Sequence, residues 1–326
     1  MILKFFLLFL ILYYPKAYAL QFIENSDITD QINDQITKHK KVEIPSGKYF
    51  INATKSIKLI SNTSIIMSKN TKLYVIPNGN SSYRVFDIRN VENVKIYGGQ
   101  VIGDKYTHLN SKGEWGMGID IRDSQNIEIY DMTIEKMWGD AIYLGNNGKN
   151  NNKNILIKNI IMDDNRRQGI SIISVDTLVA KNITIKNTSG KSPMNGVDIE
   201  PNNPLNILKN INFSNTRTIN NKGTGFQISL KMYNKSKNKI NISLLDFSDH
   251  GSKIGLRING AETPIIGSIN ITNIDLNENK ISNFCFKDWN RNKIKVNIKN
   301  IKTDKPYTNK QQWCSNYKES AYLIFR

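Results

Sequence analysis

Cysteine is nearly absent from this 326-residue chain, which has only Cys285 and Cys314. Two sulfurs exclude a disulfide-built scaffold and leave open a single bridge between them, which an oxidising compartment would favour. Histidine is almost as scarce. His39, His108 and His250 lie far apart and no CxxC pair occurs, which argues against a zinc site. Beyond the first twenty residues no apolar run is long enough to form a membrane helix. Acidic groups are in deficit too, with 28 Asp and Glu against 45 Lys and Arg, a formal charge of +17.

The amino terminus reads as an export signal. Lys4 gives a charged start, Phe5 to Leu12 an apolar run, and Ala17-Tyr18-Ala19 a small-residue end, so cleavage is expected after Ala19. An uncleaved anchor is the competing reading, weakened by the shortness of the run. Residues 1–19 are therefore expected to direct the chain to the periplasm or outside the cell, and residues 20–326 to form the mature domain. Removing Lys4 and Lys16 takes the charge from +17 to +15. A secreted chain this basic fits an acidic partner such as an anionic polysaccharide, although lysine-rich turns such as Lys235 to Lys239 equally serve solubility. The basic residues are dispersed, without an aromatic-interleaved patch, which argues against nucleic acid as the partner.

What the chain has in abundance is a repeat. Phe86-Asp-Ile-Arg89, Ile119-Asp-Ile-Arg122, Ile142-Tyr-Leu-Gly145, Ile170-Ser-Ile-Ile173, Val197-Asp-Ile-Glu200, Phe226-Gln-Ile-Ser229, Leu256-Arg-Ile-Asn259 and Phe284-Cys-Phe-Lys287 all place apolar residues first and third. Glycine precedes several of them (Gly118, Gly169, Gly196, Gly225 and Gly255), and the steps between them are 33, 23, 28, 27, 29, 30 and 28 residues. Units this small cannot bury an apolar face alone, so a near-constant step means a solenoid. Each unit adds further period-two strands, such as Asn126 to Ile129 and Met132 to Ile134, with Asn-rich turns and no helix between them. The expected fold is all-β, a single right-handed parallel β-helix. Ile28, Ile32 and Ile36 predict an amphipathic helix across Asp27 to Lys38 that caps the first coil, with the cap and first strand spanning residues 20–52. The aperiodic tail, residues 304–326, is expected to cover the other end.

In this arrangement the second and fourth residues of each repeated segment point outward. One column then reads Asp87, Asp120, Tyr143, Ser171, Asp198, Gln227, Arg257, and the next Arg89, Arg122, Gly145, Ile173, Glu200, Ser229, Asn259. Asp140, Gln168, Asn195 and Thr224 stand at the turn before the strand, with Arg166 and Arg167 beside Gln168. Asp87/Arg89 and Asp120/Arg122 read best as a self-neutralising ladder. Asp198 and Glu200 read as functional, because two acids with no base on one short strand cost stability unless they are used or paired. The candidate catalytic set is Asp140, Asp198, Glu200 and Arg167. The candidate substrate-binding set is His108, Glu114, Trp115, Tyr143, Gln168 and Arg257, the first three on the long insertion Gly103 to Gly116 expected to overhang the groove.

The helix followed by "IPSGKYFI" (Ile44 to Ile51) resembles the opening of pectate-lyase-like β-helix proteins, a group that includes phage tailspike depolymerases. "GEWGMGI" (Gly113 to Ile119), "NRRQGISI" (Asn165 to Ile172) and "NGVDIEPN" (Asn195 to Asn202) resemble segments of bacterial and phage members of that group. The resemblance implies the fold and an action on polysaccharide. It does not carry over a mechanism, because the polygalacturonase Asp-Asp and His motifs are missing: the one adjacent pair, Asp163-Asp164, has no matching His. The leading expectation is cleavage of an anionic glycan, hydrolysis being favoured over elimination. A polysaccharide lyase or C5-epimerase, with Tyr143 or His108 as base and Arg167 as uronate partner, is the first alternative. A non-catalytic glycan-binding protein is the second. The sequence shows no cofactor or metal site, leaves Ca²⁺ open, and does not give the oligomeric state.

Overall fold

The computed structural model describes residues 22–148, 151–287, 294–304 and 323–325. The expected export signal and Cys314 lie outside these residues, as does most of the expected carboxy-terminal cap. Within them the chain is a right-handed parallel β-helix. Every pairing between the described strands is parallel. A nine-stranded sheet runs from Ile57–Lys58 to Ser282–Lys287, and a fourteen-stranded sheet carries the long strands on the other sides of the coil.

The core column follows the predicted register. Ile57 stacks on Phe86, and Phe86 on Ile119; Ile142, Ile170, Val197, Phe226, Leu256 and Phe284 come next in turn. All except Phe284 are completely buried. Just before each strand turns outward, the chain places a second residue inside, and there the repeated glycines have a steric reason. A Cβ on Gly169 would stand 2.4 Å from an Ile185 methyl, and one on Gly196 would stand 2.4 Å from the Gly225 carbonyl oxygen. In the middle coils the corner is filled by a glycine, or by Ala141 at its own coil; Val85 and Asn283 take the position in the coils nearer the ends.

The long strands bend at residues in left-handed conformation, one of which recurs in every one of them. Asp131, Asn159, Asn182, Asn215, Asp246, Asn273 and Asn300 all have φ between 49° and 59°. Asn and Asp tolerate that conformation, and here their side chains also bond coil to coil. Asn159 donates to Asp131 at 2.6 Å, Asn182 to Asn159 at 2.7 Å and Asn215 to Asn182 at 2.9 Å.

The α-helix Thr29–His39 seals the amino-terminal end, burying Ile32 and Ile36. The Asp27 carboxylate accepts the Thr29 backbone N–H at 2.9 Å, and Lys40 ends the helix in the left-handed region. At the other end Leu323–Phe325 adds a parallel strand beside Lys295–Thr303. Cys285 is buried and disulfide-bonded.

Replacing Ile170 with Ala should lower stability by about 2–5 kcal/mol, because a filled site in a stacked core cannot collapse fully. Lys158→Ala, on an exposed face of the fourteen-stranded sheet, should change it by no more than about 0.5 kcal/mol. Urea unfolding midpoints measure both, and equal midpoints would refute the stacking of Ile170.

Candidate functional site

The ladder brings the outward columns together as expected. Asp87 pairs with Asp120, Asp120 with Tyr143, Tyr143 with Ser171, Ser171 with Asp198, Asp198 with Gln227 and Gln227 with Arg257. Over the middle coils these columns floor a groove of about 520 Å³. Glu114, Trp115, Tyr143, Arg167, Gln168, Asp198 and Glu200 line it, together with Arg84, Arg89 and Arg122. Trp115 stands at the rim, 48% exposed, and Glu114 beside it faces Lys191 at 3.6 Å.

Three of the predicted residues have a different place. Asp140 was expected as a groove-facing acid; it is instead fully buried beneath the floor. Its two oxygens receive Arg167 Nη1 at 3.2 and 2.9 Å, and Ser171 Oγ donates to it at 2.7 Å. Burial raises its pKa and Arg167 opposes the rise. Asp140 therefore anchors Arg167 and has no free face for a sugar. His108 was expected to bind substrate, yet its side chain is sealed off from solvent. Its Nδ1 lies 2.8 Å from Asp104, and its ring stacks on Trp138 at 4.0 Å. Asp104 is bonded in turn to the Tyr83 hydroxyl, and Arg166 covers the other part of the stack, 3.5 Å from the Trp138 ring centre. This assembly pins the insertion to the coil, so that its Glu114–Trp115 end reaches the groove and its His108 end does not. Arg257 lies two rungs beyond Asp198, outside the groove lining, with Nε 3.2 Å from Asn259 Oδ1.

Asp198 is the unusual member of the set. It reaches the cavity wall but exposes no surface. Gln227 Nε2 donates to Oδ1 and Asn195 Nδ2 to Oδ2, each at 3.0 Å, and Gln168 also bonds it. These partners are neutral amides; among the described residues no cation pairs with this carboxylate, nor with Glu200 two residues on. Burial first, and the Glu200 charge second, push the Asp198 pKa up to about 7, against the pull of the three amides. Of three neighbouring acids, Asp120 and Asp140 are thus paired to arginine, whereas Asp198 forms no ion pair, although Arg167 and Arg257 lie within electrostatic reach.

Sequence reasoning set aside the arginines at the amino-terminal end of the groove as self-neutralising. The pairing is real: Arg89 Nη2 lies 2.5 Å from Asp87, and Arg122 Nε 2.8 Å from Asp120. Yet both guanidinium groups also line the cavity, and Arg84 joins them. Arg84 Nε is 3.1 Å from Asp120 Oδ2, close enough for attraction but out of line for a hydrogen bond. Nothing in the sequence marked Arg84, because it stands before the corner, where the alternation of the strand changes phase. Among the described residues no cluster of three or more His, Cys, Asp or Glu side chains is placed to hold a metal ion.

No protein-family profile matches the chain. Two uncharacterised Bacillus subtilis proteins align with part of it: YclG, 30% identical over 206 residues, and the SPbeta prophage-derived YorA, 28% identical over 187 residues. These alignments cover 54% and 49% of this chain but 35% and 32% of the relatives, so the chain spans about a third of the length of each. Among solved structures, a tailspike protein from the Acinetobacter baumannii bacteriophage Fri1, a capsular polysaccharide depolymerase, superposes with a TM-score of 0.56 at 14% identity, covering 92% of this chain and 59% of that one. A polygalacturonase from Erwinia carotovora gives 0.55 at 15% identity, covering 93% and 95%. The A-module of a mannuronan C-5 epimerase from Azotobacter vinelandii gives 0.53 at 12% identity, covering 84% and 80%. At such identities the likeness establishes the right-handed parallel β-helix fold anticipated from the repeat.

The raised pKa of Asp198 has a consequence for stability. A carboxyl whose folded pKa lies above its unfolded value, about 3.9, stabilises fully below that value, and the contribution is lost as pH rises through about 7. The melting temperature of the wild type should therefore fall between pH 5 and pH 8 by more than that of Asp198→Asn. Parallel pH profiles of the two proteins would count against a raised Asp198 pKa.

Proposed function

We propose that the protein is an extracytoplasmic enzyme that hydrolyses an anionic polysaccharide laid along this groove. The observation that carries the reading is the Asp198–Glu200 pair, a fully buried acid bonded by neutral amides, whose pKa burial and the Glu200 charge raise, beside a half-buried carboxylate lining the same cavity. Two positions on an extended chain are about 6.6 Å apart at ~3.3 Å per residue. That is a backbone spacing, from which two side chains lining one cavity can set their carboxyls within the roughly 6.5–9.5 Å of inverting glycosidases. In this reading Asp198 supplies the proton to the leaving glycosidic oxygen and Glu200 takes one from the attacking water. To touch the sugar, the Asp198 carboxyl must leave one of its amide partners. Arg167, fixed by Asp140, stands by to hold an acidic group of the substrate, and Trp115 offers a flat face for a ring.

Elimination or epimerisation has less support. Those reactions need a base at the sugar ring, and His108 is sealed away from the groove while burial raises the Tyr143 pKa and so disfavours its phenolate. The polysaccharide-active proteins of the same fold support the substrate class, and the pattern of residues 1–19 supports export.

The experiment is product analysis with purified protein on a panel of acidic and neutral bacterial polysaccharides. Hydrolysis yields new reducing ends without an unsaturated, ultraviolet-absorbing sugar; elimination yields that chromophore; binding without cleavage would leave a glycan receptor. Glu200→Gln and Asp198→Asn should each lower turnover by about 10²–10⁴-fold with the fold intact. The activity limb that falls as pH rises through about 7 should disappear in whatever activity Asp198→Asn retains. Losses below about tenfold in both variants would reject the pair as catalytic.

A further inference from the structure

The groove is charged unevenly along its axis, and its amino-terminal continuation has no part in the proposed chemistry. A second cavity of about 390 Å³, lined by Lys58, Asp87, Arg89 and Asn147 among others, shares Arg89 with the main groove. Lys58 pairs in register with Asp87, and Arg89 with Arg122, so these side chains stand on consecutive rungs of one face. Four cations, Lys58, Arg84, Arg89 and Arg122, face two carboxylates, Asp87 and Asp120, leaving a formal +2. At the other end Arg167 and Lys191 face Asp140, Glu114, Asp198 and Glu200, with Arg166 and Arg257 in electrostatic reach of Glu114 and Asp198, so the formal charge there is zero when all are ionised.

The cationic end is built, and its charge is held at the surface. Asp120 is fully buried and lies between two guanidinium groups, Arg84 and Arg122. The Arg122 guanidinium lies 4.8 Å above the Tyr143 ring centre, and its Nη1 donates to Asn147 Oδ1 at 3.3 Å. Gly145 makes that seat: a Cβ there would come within 2.3 Å of the Tyr143 ring and 3.2 Å of Arg122 Nε. The carboxylates thus sit inside and orient the arginines, while Lys58 and Arg89 remain exposed.

We propose that Lys58, Arg84, Arg89 and Arg122 form an anion-binding arm that takes acidic groups of the polymer three to five coils from the Asp198–Glu200 rung. At about 4.8 Å per coil this is a reach of about 14–24 Å, enough for several sugar units. The arm fixes the direction in which the chain lies and makes affinity depend on polymer length. The acidic groups are carboxylates of uronic acids or sulfate esters, both of which guanidinium forks recognise. The proposal rests on the reading that the groove takes a polysaccharide, and it is tested by binding, independently of cleavage.

Binding of polygalacturonate, alginate, dextran sulfate and neutral dextran to the full chain is measured by affinity electrophoresis at low and high salt. Lys58→Gln and Arg89→Gln are compared with Lys181→Gln, an exposed lysine on the fourteen-stranded sheet that carries the same charge change. Their melting temperatures confirm that each is folded. Each arm variant should weaken binding of the acidic polymers by about two- to fivefold at low salt, with a smaller loss at high salt. Lys181→Gln should bind like the wild type, and dextran binding should not change. Preference for polygalacturonate and alginate over dextran sulfate identifies carboxylate as the group read, and the reverse identifies sulfate. Unchanged binding in both arm variants, or an equal loss in Lys181→Gln, would overturn the arm. If Glu200→Gln fails to reduce cleavage while the arm variants lose affinity, the catalytic reading falls and the arm stands.

Discussion

The parallel ladder obliges each residue of a coil to lie over the residue of the same phase in the coil before it, about 4.8 Å away. The core is continuous because that phase is apolar at Phe86, Ile119, Ile142 and onward. The same constraint builds the groove, because outward residues of six or seven coils become neighbours although they are some 30 residues apart in the chain. It also dictates which parts of the chain are free to vary. The long strands of the fourteen-stranded sheet keep 11 or 12 residues through the middle coils. The uneven steps are absorbed instead at the two edges of the groove strands: before them at Gly103 to Glu114 and Asn187 to Met194, and after them at Glu200 to Ile207 and Leu230 to Lys239. Length variation that leaves the ladder intact therefore falls around the groove, where it sets the shape of a binding surface.

Close stacking of outward polar residues also changes their chemistry. Asp140 and Asp198 are both fully buried on this face, so desolvation is the first cause acting on each. A single neighbour then separates their fates. Arg167 supplies Asp140 with a counter-charge and makes it an anchor. Asp198 receives amides, which bond a carboxylate without offsetting its charge in full, and adds the Glu200 charge two positions away. A buried acid bonded only by neutral donors keeps its proton to higher pH, which is the property a general acid at neutral pH requires.

The fold was legible because its signal is repeated. Eight segments with one alternation make the register of the core and of both outward columns readable, and the capping helix followed from Ile28, Ile32 and Ile36 alone. The site was legible only as far as it is periodic. Tyr143, Gln168 and Asp198 come together because their ladder positions bring them together, with Arg167 and Glu200 at the ends of those strands and Glu114–Trp115 carried in by the insertion. Asp140 and His108 were misplaced for one physical reason, that an outward direction is not the same as exposure. Asp140 points away from the core but lies under Arg167, and His108 is on a long loop but is drawn under Trp138 by Asp104. Pattern gives direction, whereas cover comes from side chains of other coils and of loops whose path the repeat does not encode.

The arginines expose the same gap from the other side. An Asp and an Arg two residues apart on one strand neutralise each other in a count of charges, and on that count Asp87/Arg89 and Asp120/Arg122 are inert. Geometry separates the two halves of each pair. The short aspartate stays against the sheet, and the long arginine carries its charge over it to the cavity, so an incoming anion meets the guanidinium first. The two pairs alone sum to zero, and with Arg84 sharing Asp120 and Lys58 over Asp87 the row presents a positive surface. Under the proposed function an acidic polymer would be steered by that surface potential close to the wall, within the roughly 8–10 Å over which salt leaves a charge visible, for which the sum over the strand is a poor guide.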